Sequence, residues 1–326
     1  MYKKVTALLT THFPNTTILP TLGNHDNCPP NYWPTNNPNV YQHFLDSSGW
    51  GELIKDRTFL KGRGTVIRPG GYYSTHISDS LLAIVLNSVL WILPNQDASS
   101  QTDPGDQFLW LNHTLMKAQA NNKTVLIFTH VPPGHEPNVT RQYNSQTLTK
   151  QFIDILGEFD QTVLGVFCGH LHKDAFFGDP ALYSRVIYAS PPLSWIAGNP
   201  GVRLYNYDIS DYTQYYLTSH GEWVAHSQSK IYSVTTNHAQ TLLRAVQDNI
   251  CTYIALFAQS DVVRLDCDQV CALSLYCSMR TLTPADYSAF MASRADVLEL
   301  ASFPYSSKYQ ILVGCSIMLV IRTNRK

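Results

Sequence analysis

Three short runs carry residue types that do metal chemistry: Gly23-Asn24-His25-Asp26, Thr129-His130-Val131-Pro132 and Gly169-His170-Leu171-His172. Imidazole nitrogen suits zinc and iron, and a side-chain amide oxygen is a hard, neutral donor. Asn24, His130 and His170 can therefore serve one cation. His172, two residues past His170, can reach a second cation from an extended loop. Two such ions about 3.5–4 Å apart clamp a phosphoryl group and ionise water at neutral pH. His25, with Asp26 next to it to orient the ring, is then placed to protonate a leaving-group oxygen. Taken singly the residues say less. Gly-Asn is ordinary turn chemistry. His12, His43, His76, His113, His220, His226 and His238 read as surface or capping residues. His135 is ambiguous, and Asp174 and Asp179 read as solvated.

Each run follows a strand-like segment, which is what brings distant residues to one point. Residues 1–13 read as an amphipathic helix with Val5, Leu8, Leu9 and Phe13 on one side. Thr16 to Leu22 reads as a buried strand, and a helix falls within 40–56. Tyr72 to Ile77 and Leu81 to Asn87 read as a hairpin about Ser78-Asp79-Ser80. A helix starts at Asp103-Pro104-Gly105 and turns Phe108, Leu111, Leu115 and Ala118 inward. Lys123 to Thr129 and Thr162 to Phe167 are strands flanking a helix at 145–159, and Arg185 to Ala189 and Val202 to Tyr207 are further strands. This alternation implies an α/β sandwich, whose ligands gather beyond the carboxyl ends of its strands. The pattern becomes helical after about residue 237. The chain thus divides into 1–236, a helical C-terminal subdomain with clustered cysteines at 237–295, and an unassigned tail at 296–326.

Composition narrows the class. A net charge of −1 gives no electrostatic reason to expect a nucleic-acid polymer as partner. Only 14% of residues are charged, and sequons stand at Asn15, Asn112, Asn122 and Asn138. Both features suit a secreted glycoprotein. Cys267 and Cys271 can close a small loop, with a zinc site as the weaker option for the cluster that includes Cys277. No signal peptide is visible. The apolar run Ile311 to Ile321 is too short to span a bilayer as a helix, and reads as a buried strand or as sequence foreign to the domain.

In order and spacing the three runs resemble the calcineurin-like metallophosphoesterases. Asp103-Pro104-Gly105-Asp106-Gln107-Phe108-Leu109-Trp110-Leu111, Thr129-His130-Val131-Pro132-Pro133-Gly134, Asn199-Pro200-Gly201-Val202-Arg203-Leu204-Tyr205 and the tail cysteines resemble the acid sphingomyelinase-like phosphodiesterases more closely. The resemblance covers residues 1–290. It implies an α/β/β/α sandwich and a dinuclear zinc centre. It also implies cleavage of phosphodiester or phosphoanhydride bonds in nucleotides or lipids, the latter at a lipid or membrane surface. The implied compartment is extracellular, lysosomal or membrane-associated, with N-glycans on the four sequons. Asn24, His130 and His170 would hold one zinc, His172 the other, and His25 would be the catalytic acid with Asp26 behind it. The family's Asp-x-His pair and bridging Asp have no counterpart upstream of Gly23, so the expectation is a sandwich truncated at its N-terminus and an impaired enzyme. The alternative is a non-catalytic secreted glycoprotein that keeps part of the pocket as a binding module. Lipid and nucleotide substrates remain open, with the Trp195 and Tyr183 loops as candidates to line the pocket.

Overall fold

The computed structural model describes residues 2–50, 53, 67–134, 143–195, 199–248, 277–281, 289, 292 and 318–321. Pro14 and Asn15 follow the first helix, α1 (Tyr2–His12), and the β-branched run after them forms β1 (Thr17–Pro20), buried throughout. Helix α2 (Pro38–Ser48) opens with proline, where no amide is needed. It closes at Gly49, whose φ of 78° lets its N–H reach the Leu45 carbonyl. The apolar side expected for α1 is not the side it buries. Val5, Leu8 and Phe13 are exposed. Instead Tyr2 packs its ring against Phe44 and Trp50, Leu9 rests on the core, and Thr6 donates to the Ser48 carbonyl. Contact with α2, not apolar count, decides which face is covered.

The hairpin forms as β2 (Tyr73–His76) and β3 (Leu81–Val85). The helix Gln107–Ala120 turns Phe108, Leu111, Leu115 and Ala118 inward. Its start is fixed by Asp103, whose carboxylate accepts from the Phe108 and Leu109 amides at 2.8 and 2.9 Å, satisfying donors that have no partner in the first turn. Next come β4 (Thr124–Phe128), the helix Gln146–Glu158 with Ser145 as its N-cap, and β5 (Val163–Cys168). Three strands follow that the sequence reading did not separate or find. These are β6 (Ala175–Phe177) and, after β7 (Ile187–Ala189) and β8 (Gly201–Tyr205), the pair β9 (Tyr212–Leu217) and β10 (Trp223–Ser227).

Six strands form one sheet in the order β2-β3-β4-β5-β7-β6, with β3, β4, β5 and β7 parallel and antiparallel strands at both edges. β3 is buried along its whole length and β5 almost so, so both faces of the sheet are covered, as parallel sheets require. The α/β sandwich is as expected. β8, β9 and β10 make a separate antiparallel sheet. β1 pairs with β11 (Met318–Ile321), so part of the apolar tail is a strand. The helix Ala239–Asp248 sets Leu242, Leu243 and Val246 into the same core as the main sheet. Most of 249–295, with Cys267 and Cys271, lies outside the described residues, as do Asn138 and His135. Cys277 is buried with its sulfur 4.0 Å from the Thr281 hydroxyl. No helix among the described residues is long and apolar enough to cross a membrane.

Candidate metal centre

The carboxyl ends of β4 and β5 lie side by side, because Phe128 and Phe167 pair in parallel register. Two further bonds carry the ladder into the loops: Thr129 N–H to the Phe167 carbonyl, and Gly169 N–H to the His130 carbonyl, both 2.9 Å. His130 and His170 emerge from these tips with their rings 5.2 Å apart, edge to face. Asn24, just past β1, completes the set. Its Oδ1 lies 2.8 Å from His130 Nε2 and 3.2 Å from His170 Nδ1. Gly23 lets the chain pass close to the site, since a Cβ there would press on His130 Nε2 at 3.3 Å and on Asp26 Oδ2 at 3.1 Å.

The Gly-His-Leu-His turn is held in unusual backbone. His170 has φ 67° and His172 φ 55°, and Leu171 N–H closes a three-residue turn on the Gly169 carbonyl at 2.7 Å. Left-handed residues other than glycine cost free energy and gather at functional sites. Here the turn aims the His170 ring back at Asn24.

Burial sets the protonation states. It lowers His130 far below the ordinary imidazole value, and positive charge on His170, His172 or His25 would lower it further. Burial pushes His170 down to about 3, aided by His172 and His25. His172 is lowered by burial first, then by His25 and Lys173. These imidazoles are therefore neutral at physiological pH, the form that ligates metal.

The donor set fits one divalent cation. His130 Nε2 and His170 Nδ1 both lie within hydrogen-bonding distance of a single amide oxygen, and a neutral imidazole has one unprotonated ring nitrogen free to ligate a cation. Donors on a tetrahedral zinc stand about 3.3 Å apart, close to the 2.8 and 3.2 Å seen here. His130 Nδ1 is buried with no hydrogen-bond partner among the described residues. A second cation does not fit as well. Its one expected donor is His172. Among the described residues no group of three His, Cys, Asp or Glu side chains is placed to hold a metal, so the first set too rests on two imidazoles and an amide.

Several residues that build the site went unnoticed in the sequence. Asn24 Nδ2 donates to Asn31 Oδ1 at 2.8 Å and to the Tyr143 hydroxyl at 3.1 Å, and Tyr143 donates in turn to Asn31 at 2.7 Å. These bonds fix which end of the Asn24 amide faces the histidines. The Tyr143 ring also lies 4.7 Å from that of His170. Asp26 accepts from the Tyr2 hydroxyl and the Gly23 amide, each at 2.6 Å, which closes the Gly23-to-Asp26 loop and ties it to α1.

Asp174, read as solvated, is instead 2% exposed and ion-paired with Arg203 of β8, itself 6% exposed. Arg203 also donates to Gln214 at 3.0 Å and lies 4.2 Å from the Tyr212 ring centroid. Burial pushes the Asp174 carboxyl up and Arg203 opposes it. The pair fastens the loop bearing His170 and His172 to the three-stranded sheet. Tyr183 does not line the site: it is buried and donates to the Val163 carbonyl, at the far end of β5 from His170. Trp195 is exposed in the loop after β7.

A family model described as calcineurin-like phosphoesterase matches residues 2–174, more than half of the chain. The chain is 35% identical over 239 residues to cyclic GMP-AMP phosphodiesterase SMPDL3A of Bos taurus, covering 65% of this chain and 51% of that one. It is 29% identical over 315 residues to the Rattus norvegicus protein of the same name, covering 84% and 68%. Sphingomyelinase phosphodiesterase C of Dictyostelium discoideum is 28% identical over 326 residues, covering 85% and 68%. The chain thus spans about half the length of the bovine relative it matches. With a donor set built on three strand tips and a family match over most of that region, the chain belongs to the calcineurin-like phosphoesterase family, with relatives in its acid sphingomyelinase-like branch.

Proposed function

We propose that this chain is a metal-dependent phosphodiesterase acting on phosphoric esters of a nucleotide or a lipid, with zinc as its cation and with low turnover when these residues act alone. The convergence of His130 Nε2 and His170 Nδ1 on Asn24 Oδ1 carries the reading. Relatives named for cyclic GMP-AMP and for sphingomyelin support the substrate class. When bound, divalent cations supply Lewis-acid polarisation of a phosphoryl oxygen and ionise a water near neutral pH. Asn24, His130 and His170 would hold one ion, and burial keeps the two rings unprotonated for that purpose. His172 would be the one donor from this set to any second ion. His25 shares its loop with Asn24 and delivers a proton to the leaving-group oxygen. Asp26 holds that loop in shape through Gly23 and Tyr2. Low turnover follows from charge: Asn24, His130, His170 and His172 are all neutral donors, and site affinity for dications depends on ligand charge.

The neutral donors also favour a second reading, a non-catalytic secreted glycoprotein that keeps the pocket as a binding module. Asn15 and Asn122 are exposed and Asn112 is half-buried, consistent with glycans on the first two. Hydrolysis of bis(4-nitrophenyl) phosphate under a zinc titration separates the readings. The expected result is slow, zinc-dependent turnover abolished by His25→Ala. Turnover that survives both chelation and His25→Ala would rule the enzymatic reading out. No turnover, with one zinc bound per chain, would establish the binding module.

A further inference from the structure

We propose a second binding site, separate from the metal centre, for an organic anion that carries a planar ring and has the size of a nucleotide. It lies in a cleft of about 490 Å³ between the helix Gln107–Ala120 and the turn at 67–72, a volume within the usual range of small-molecule sites. None of Asn24, His130, His170 and His172 lines it.

The helix contributes one stripe to this cleft: Asp106 at its N-cap, then Trp110, His113, Thr114 and Lys117. These positions recur at the three- and four-residue spacing that shares a helix face. The opposite stripe, from Phe108 to Ala118, is the one in the core. The facing wall is a built turn, not a loose loop. Gly70 and Gly71 take φ of 117° and 77°, Gly71 N–H bonds the Arg68 carbonyl at 2.9 Å, and Arg68 N–H bonds the Tyr72 carbonyl at 2.9 Å. A Cβ on Gly71 would fall 2.3 Å from Leu22, so the turn is pressed against the core.

Two chemistries meet across the cleft. Tyr72 and Trp110 stand 4.8 Å apart as a tilted aromatic pair, with the Tyr72 hydroxyl held by the Gly105 carbonyl at 2.7 Å. Arg68 and Lys117 flank that pair, and neither forms an ion pair among the described residues. One carboxylate, Asp106, faces these two cations and His113. Tyr72 is 3% exposed and backs Trp110, so the half-buried Trp110 offers the face for a planar ring, and a guanidinium donates to the paired oxygens of a phosphate or carboxylate. Asp106 offers acceptors for sugar hydroxyls. A ligand uniting the three features is a nucleotide. The site stands independently of the reading of the metal centre.

The test is calorimetric titration of the whole chain with adenosine 5′-monophosphate in the presence of a chelator, with adenosine and inorganic phosphate as separate probes. The expected result is saturable binding of the nucleotide, weaker by roughly tenfold or more for either half alone and for Arg68→Glu or Lys117→Glu. Asn24→Ala should leave it unchanged. Lys117 is exposed, so its variant folds, and thermal unfolding verifies this. The proposal is overturned if the folded chain shows no saturable nucleotide binding at millimolar concentration. It is equally overturned if both charge reversals leave the affinity unaltered, or if Asn24→Ala alone removes binding.

Discussion

The two sides of the metal centre are positioned by different means. His130 and His170 stand on loops that continue the backbone ladder of a six-stranded sheet, as the bonds from Thr129 and Gly169 show. Asn24 follows β1, which among the described residues pairs only with β11. Two backbone bonds turn its loop, Asp26 N–H to the Gly23 carbonyl and Asn31 N–H to the Asn24 carbonyl, but its ties to the rest of the molecule are side chains: the Tyr73 hydroxyl on the Pro20 carbonyl, the Trp33 indole on Gly23, and Asp26 on Tyr2. A ladder is distributed over many bonds, whereas a side-chain tie is lost in one substitution. The Asn24 side should therefore be the easier one to disturb without disturbing the fold.

The largest effect should come from the sheet side, where disturbing a loop means disturbing the fold. Arg203→Ala removes the ion-pair partner of the buried Asp174 carboxylate and should cost about 3–5 kcal/mol, read as a shift of the urea midpoint. A loss below about 1 kcal/mol would mean that the pair does not anchor the His170 loop.

Acid should act on the same side. His170 is pushed from 6.5 down to about 3, and His130 is lowered too. Above pH 6.5 neither folded nor unfolded chain is protonated at these rings. Below it the unfolded chain takes up protons that the folded chain refuses, at His170 until about pH 3. Stability of the metal-free protein should thus fall as pH falls through this window, with a slope up to about 1.4 kcal/mol per pH unit for each ring. His170→Gln should flatten the slope, and an equal slope in that variant would contradict the assignment.

On the Asn24 side the effects are smaller but reach the site without unfolding anything. Tyr143→Phe removes the hydroxyl that turns the Asn24 amide and should weaken zinc binding about 10–100-fold, measured by calorimetric titration, with little change in melting temperature. Tyr2→Phe removes one charge-assisted bond to Asp26 and should cost about 1.5 kcal/mol. Faster amide exchange in that variant should be confined to residues 23–27. Acceleration spreading into β4 and β5 would show that the two sides are not held separately.

Much of this contrast was legible in the sequence, for local reasons. Asn24, His130 and His170, which the structure brings together, each follow an apolar run, and strand tips in α/β folds are where ligands gather. The helix Gln107–Ala120 could be placed face by face because one periodic stripe is apolar. What escaped is non-local. Tyr143 reaches Asn24 across 119 residues, and a hydroxyl that far away leaves no spacing to recognise. Asp174 looks like any loop aspartate until Arg203 is known to lie beside it. The face of α1 was misjudged because Tyr2 and Thr6 are chosen by α2, a partner that periodicity does not reveal.

The most direct measurement is anomalous diffraction at the zinc edge from crystals of the chain grown with zinc. A cation shared by the two sides requires a peak about 2.0–2.2 Å from Asn24 Oδ1 and from one nitrogen each of His130 and His170. Zinc found elsewhere, with His130 and His170 still hydrogen-bonded to Asn24, would contradict the shared site.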